Sequence, residues 1–282
     1  MAPNSENVSE IGGLDKDLVL TSGIRKYPTN RNSYLKNPDL WLQGKKEDDN
    51  VYPYWRLHDK LYDLTAFIKS HPGGPFWIEE TRGTDITESF ESSHFRTLPE
   101  QVTPILKRVG TGPSLYMKLM QDTLLFGFLV FSILAARNFN IFYAIIAGIL
   151  FNFMANVAHN FFHQKDNWRM LIFDLTLNSS REWRISHALS HHNYPNTIID
   201  YEVSALEPHF ELLPKSNKSF LHRYAAIVTG SILYSIAIYS AFVYRVILYK
   251  MGKTKFYKED ILPFLHLLLI IGLCGSVIQG LQ

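Results

Sequence analysis

"NFNIFYAIIAGILFNFMANVAHNFFH", residues 138–163, joins an apolar run to a pair of histidines. The first 21 residues of it, 138–158, carry no charge. About 20 apolar residues are enough for a helix to cross the hydrocarbon of a bilayer. His159 and His163 follow immediately, spaced i, i+4, so on a helix they share one face. A metal held there, at the end of an apolar helix, lies within reach of an acyl chain.

Three further stretches lack charge: 123–136, 224–244 and 261–282, of 14, 21 and 22 residues. The first reaches span length if its helix starts near Leu115, with Lys118 and Asp122 one turn apart near the interface. The spacing therefore predicts about four membrane helices after a polar N-terminal third. "RNFN" (137–140) is short enough only for a tight hairpin. The N-terminus, "MAPNSENVSE", has neither the apolar core of a signal peptide nor a glycine at position 2 for myristoylation. It is placed in the cytosol, which returns the polar insert 159–223 to the cytosol. One loop disagrees. Residues 249–260 carry four lysines and two acids, yet an up-down count leaves them on the far side, against the positive-inside rule.

The formal net charge of +2 gives no argument for nucleic acid, and none is expected as a partner. One cysteine, Cys274, excludes a disulfide within the chain and fits a reducing, cytosol-facing location. Residues 1–35 mix Ser, Asn, Gly and charge without periodicity and read as a disordered tail. Residues 36–112 read as a compact polar domain, "TGP" (111–113) as a linker, and 113–282 as the membrane domain.

Within the polar domain, "LYDLTAFIKSHPGG" (61–74) places His71 before a Pro-Gly-Gly turn, and His94 follows 23 residues later. Two imidazoles on separate helices can face each other across a flat ring, with Phe67, Ile68, Ile78 and Phe90 as walls. Two axial imidazoles leave iron no open position, which suits electron exchange rather than oxygen binding. Two unrelated surface histidines are the plainer alternative. The acids Glu79, Glu80, Asp85, Glu88 and Glu91 against Arg82 give 79–91 a net charge of −4, either a rim that steers basic partners or a solvated helix face.

From Trp55 through "YDLT" and "HPGG" to His94 and "VGTG", the segment resembles the cytochrome b5 haem-binding domain. The resemblance implies an α+β haem domain binding haem b, with His71 and His94 as axial ligands and Phe67, Pro72 and Phe90 in the pocket. It also implies an electron donor of the cytochrome b5 reductase type.

Five of the eleven histidines fall within 159–192. His187 and His191 in "HALSHHNYPN" (187–196) repeat the i, i+4 spacing, and His192 is adjacent. Imidazole suits iron, copper and zinc. Ordinary polar histidines, one zinc ion and a two-iron site are the three readings. Zinc hydrolase chemistry would want an acid beside the ligands, as in H-E-x-x-H, but Asn160 and Ala188 stand there. "HNFFH" and "HALSHH" resemble the first and second histidine boxes of the membrane fatty acid desaturases. With "REWRISHALSHHNYPNT" and the haem segment ahead of it, the chain over 36–282 looks like the insect cytochrome b5-related fusions.

The resemblance implies an all-α membrane domain with about four transmembrane helices, a multi-pass location in the endoplasmic reticulum, and haem and histidines facing the cytosol. It implies a di-iron centre on His159, His163, His187, His191 and His192 that oxidises a lipid or acyl-CoA chain. That centre takes about eight ligands in the family. After His192 only His209, His222 and His266 remain, none paired, so the expected site is incomplete and a third box is absent from these 282 residues. An oxygen-dependent desaturase and a membrane-anchored electron carrier with a desaturase remnant both stay open.

Overall fold

A computed structural model describes residues 9–10, 36–93, 104, 107–108, 110, 112–205, 207, 209–213, 216–224 and 226–274. The principal elements in chain order are β1 (Ser9–Glu10), α1 (Pro38–Asp49), β2 (Trp55–Leu57), β3 (Lys60–Asp63), α2 (Pro75–Glu80) and α3 (Thr87–Ser93), then α4 (Leu115–Asn138), α5 (Ile141–Ala158), α6 (Ala226–Lys250) and α7 (Leu262–Cys274). Short 3-10 and π segments fill much of 159–191. The chain forms two compact units, one of 1–111 with 182–231, the other of 112–181 with 232–282.

In the first unit, α1 begins where Asn37 accepts a hydrogen bond from the Asp39 amide at 2.8 Å with Pro38 at the first helical position, and ends on Asn50 in the left-handed region. β2 and β3 form a hairpin turning at His58 and Asp59, and β1 adds antiparallel on β3 to give the order β1-β3-β2. Of the segment 1–35 only Ser9–Glu10 is described, as this strand; the rest of the expected tail lies outside the described residues. Trp55 is fully buried with Leu64, Ile68 and Ile78, and its indole N–H donates to the Ile78 carbonyl at 2.9 Å. A second core joins distant sequence: Trp41 and Leu42 of α1 bury against Ile185 and Leu189, flanked by Phe76, Trp77, Tyr194 and Tyr201. The Trp41 indole N–H donates to the Ile199 carbonyl at 2.8 Å, and Asn37 donates to Glu182 at 3.0 Å. The segment after residue 181 therefore folds with the polar domain, although in sequence it lies inside the expected membrane domain.

In the second unit, α4 starts at Leu115, capped by Ser114, and runs 24 residues. Phe139 in the left-handed region and the N-cap Asn140 turn the chain into α5, the tight hairpin expected at 137–140. Helix contact is close because Gly127 leaves room for Leu150, where a Cβ would stand 3.2 Å from Leu150 Cδ1. Phe128, Ala147, Met154 and Ile172 form the shared core, and the Gln121 amide donates to the Met154 carbonyl at 3.3 Å. Outward residues such as Phe126, Ile145 and Phe153 stay exposed. A helix pair apolar on its outer face calls for apolar surroundings. Two helices among the described residues, Leu115–Asn138 and Ile141–Phe161, are long and apolar enough to cross a membrane. This is two spans where the sequence pattern suggested about four.

The lysine loop packs against the segment that follows α5. The Arg245 guanidinium donates to the Leu177 carbonyl at 2.8 Å and pairs with Asp260, while Arg181 lies over the Tyr257 ring at 4.3 Å. The 245–261 stretch thus lies against 168–181, beside the end of α5, and helix α6 is unbroken. Asp122 of α4 forms a two-pronged pair with Arg169, its oxygens 2.6 and 3.1 Å from the guanidinium.

Beneath this layer Asp174 is buried, accepting from the Ser180 amide at 3.0 Å. Burial pushes its carboxyl up to about 7, the nearby Glu259 adds to the rise, and the Ser180 hydrogen bonds and Arg245 oppose it. A folded pKa above the unfolded value means stability is fully present below the unfolded pKa and is lost as pH rises through the folded one. Asp174→Asn is therefore expected to raise the Tm of the detergent-solubilised chain, by a margin that grows from pH 4 to pH 7 and then levels off. A pH-independent difference in thermal scans would contradict this.

Candidate haem site and histidine cluster

His71 ends the 3-10 turn Ile68–Ser70, and the Pro-Gly-Gly after it folds back so that the Gly74 amide donates to the His71 carbonyl at 3.0 Å. The His71 ring is held from the other side by the Gly74 carbonyl, 2.8 Å from Nδ1. A carbonyl only accepts, so Nδ1 carries the proton and Nε2 keeps its lone pair for a ligand. Phe67 meets the ring edge-on, centroids 5.6 Å apart. Gly73 has no room for a side chain: a Cβ would stand 3.0 Å from His71 Cε1 and 3.1 Å from Trp77 Cδ1. Pro72 is exposed and Phe90, on α3, is half-buried. His94 lies outside the described residues. A half-buried imidazole with one nitrogen committed, flanked by apolar walls, fits one axial side of a haem. The acidic stretch is thinner than its charge suggests, since Asp85 faces Arg56 at 3.8 Å and Glu91 pairs with His58 at 2.9 Å; Glu79 and Glu88 face solvent.

The second histidine segment lies in the same unit and is a π-helix, Arg184–His191, closed at its end by an i→i+5 hydrogen bond from the His192 amide to the His187 carbonyl at 2.8 Å. The geometry matters for the motif. In an α-helix a residue five positions on is rotated by about 140°. With the wider π turn of about 4.4 residues, the same residue is rotated by only about 50°. All three histidines therefore gather. His187 and His191 stack 5.7 Å apart at 21°, and His192 meets His187 edge-on at 4.5 Å. The Nε2 atoms of His187 and His192 are 3.0 Å apart, about the separation of adjacent ligands at 90° on one ion with bonds near 2.1 Å.

Two carboxylates that the motif search did not single out fix these rings. His187 Nδ1 lies 2.9 Å from Glu202, and His191 Nδ1 lies 2.8 Å from Asp200. Carboxylates accept, so both Nδ1 atoms are protonated and both Nε2 atoms point their lone pairs elsewhere. Asp200 is fully buried; its other oxygen takes the Glu202 amide at 3.0 Å as N-cap of the turn Tyr201–Ser204. Burial, then the neighbouring His187 and His191, hold His192 below the ordinary imidazole pKa, which keeps it in the neutral form a metal takes. The donor set fits a transition-metal ion.

His159 and His163 belong to the second unit. Helix α5 stops at Ala158 and passes into a 3-10 turn, so the pair is not on the regular helix that its spacing suggested. The turn still brings the rings together, centroids 5.3 Å apart at 75°. Of the later histidines, His209 is exposed, His222 lies against Ser219 and Glu211, and His266 packs on Phe128.

Orientation by an acceptor on Nδ1 commonly matters 10–100-fold in metal affinity. Asp200→Asn and Glu202→Gln are each expected to weaken Co(II) binding to the chain by about 10–100-fold. Competition with a chromogenic chelator measures this, and unchanged affinity in both variants would remove the carboxylates from the site.

Comparison with known proteins finds two families along the chain. Residues 41–129 match the Cytochrome b5-like Heme/Steroid binding domain, and residues 137–279 match the fatty acid desaturase family. The chain is 35% identical over 292 residues to the cytochrome b5-related protein of Drosophila melanogaster, covering 91% of this chain and 67% of that one. It is 51% identical over 82 residues to the cytochrome b5-related protein of Drosophila virilis, 29% of this chain and 58% of that one. A 43-residue stretch is 51% identical to the acyl-lipid omega-13 desaturase of Chlamydomonas reinhardtii, 15% of this chain and 9% of that enzyme. No solved structure matches. The chain thus belongs to the cytochrome b5-related proteins, in which a cytochrome b5-like domain is joined to a fatty acid desaturase domain.

Proposed function

We propose that the chain carries electrons from a reductase of the cytochrome b5 reductase type, through haem b on His71 and His94, to iron ligated by His159, His163, His187, His191 and His192, for oxidation of a lipid or acyl-CoA chain. The haem supplies one-electron exchange, and the iron supplies oxygen activation when bound. The residues' own parts are binding and orientation. The Gly74 carbonyl aims His71; Asp200 and Glu202 aim His191 and His187. The observation that carries this reading is the carboxylate-anchored histidine cluster within the compact unit that also contains His71. Domains at 36–112 and 113–282 fit the two matched families. The α4–α5 hairpin crossing an endoplasmic reticulum membrane, with the histidines on the cytosolic side, fits the apolar outer face of that hairpin. The lysines at 250, 253, 255 and 258 then meet the positive-inside rule, because their loop lies beside 168–181.

The second reading is an electron carrier whose metal site does no chemistry. It is favoured by His209, His222 and His266, none of which pairs with another histidine. One set of variants separates the two. His71→Ala should abolish the haem Soret band. His191→Ala should keep that band and lower non-haem iron and any change in acyl profile in a desaturase-deficient host. Purified 282-residue chain with a normal haem spectrum and no non-haem iron would exclude the enzyme for this form and leave the carrier.

A further inference from the structure

We infer that Arg184 is a positioning residue that couples haem occupancy to the geometry of the His187–His191–His192 turn, so that haem at His71 preorganises the histidine cluster. This rests on the reading of His71 as a haem ligand. The physical chain is short and lies inside one compact unit. The His71 and Trp77 rings both approach Gly73 closely, 3.0 and 3.1 Å from where a Cβ would stand. Trp77 stands edge-on to Phe76, centroids 5.1 Å apart. Over this aromatic pair lies the Arg184 guanidinium, 3.8 Å from the Phe76 centroid and 4.2 Å from that of Trp77, with the residue only 2% exposed. Arg184 is also the first residue of the π-helix, three positions before His187.

A buried guanidinium is costly to desolvate, and the Phe76 and Trp77 faces are among the contacts that keep Arg184 in place. A π-helix is intrinsically rare, so this one depends on tertiary support. Trp77 and Phe76 supply it at the N-terminal end, and Trp41, bonded to the Ile199 carbonyl beside Asp200, supplies it on the far side of the cluster. A ligand that immobilises His71 steadies the Gly73–Trp77 wall and with it the first turn of the histidine segment. Linkage makes the effect reciprocal, so a metal on the cluster tightens haem by the same factor.

The test uses the full chain in detergent, titrated with hemin and followed by the Soret band and by peptide-level hydrogen exchange. Hemin should slow exchange over 184–192 by about tenfold, a typical coupling. Arg184→Met should still bind hemin and still slow exchange over 68–75, yet lose the slowing over 184–192; Arg184→Lys should restore part of it. Saturating Co(II) should tighten hemin in the wild type and not in Arg184→Met. If Arg184→Met does not fold, Trp77→Leu is judged by the same criteria. Hemin binding without slowing over 184–192, or full slowing in the substituted chains, overturns the coupling alone. Absence of a Soret band overturns the haem reading and this inference with it.

Discussion

Three hydrogen bonds donated from histidine Nδ1 orient the candidate ligand rings. Gly74 holds His71, Glu202 holds His187 and Asp200 holds His191, each through the nitrogen that would otherwise swing free. Each acceptor fixes a tautomer as well as an angle, leaving Nε2 as the exposed donor atom. The acceptors differ in kind. A neutral backbone carbonyl, that of Gly74, holds His71. A buried carboxylate, that of Asp200, fixes the His191 ring and its tautomer. The surrounding structure serves to keep those acceptors in place: the Pro-Gly-Gly turn for the carbonyl, and the capped turn at Tyr201–Ser204 for the carboxylates.

Much of the haem half was legible in the sequence, because its signals are local. "HPGG" specifies a tight turn, and the apolar residues around it form the core found at Trp55, Leu64, Ile68 and Ile78. The hairpin at 137–140 and the helix start at Leu115 were readable for the same reason, being set by chain length and a cap. Asp200 and Glu202 were harder to see. Their signal is a capping acid with a second acid two residues on, which is common in any helix-bearing chain. Only the return of 200–202 against 187–191 gives them a role. The π-helix was also hidden, since periodicity arguments assume one pitch. A regular helix would bring His187 and His191 together by spacing but turn His192 away, so only the resemblance to the second histidine box gave His192 a place beside them. Trp41 meets Ile199 and Trp77 meets Arg184, each across more than 100 residues, and no local pattern announces such contacts.

Compactness and chain order diverge in this protein. Residues 182–231 follow two long apolar helices, yet they bury Ile185 and Leu189 against a helix that begins at Pro38. The fatty acid desaturase match covers 137–279 as one stretch, and the folding unit is different. The apolar helices and the ion-paired layer on them, Asp122 with Arg169 and Arg245 with Asp260, make a self-contained second unit.

The π-helix at Arg184–His191 gives the written motif a different meaning. Two adjacent histidines in a regular helix point about 100° apart and serve different neighbours. In H-x3-HH they serve the same one because the backbone has slipped by one residue in phase. The motif is thus an α-helical pair plus an inserted residue, and the insertion is what recruits the third imidazole. Deleting Ala188 or Leu189 would leave three histidines in the sequence and a different set of faces in space. Spacing, more than histidine count, sets which rings this segment brings together.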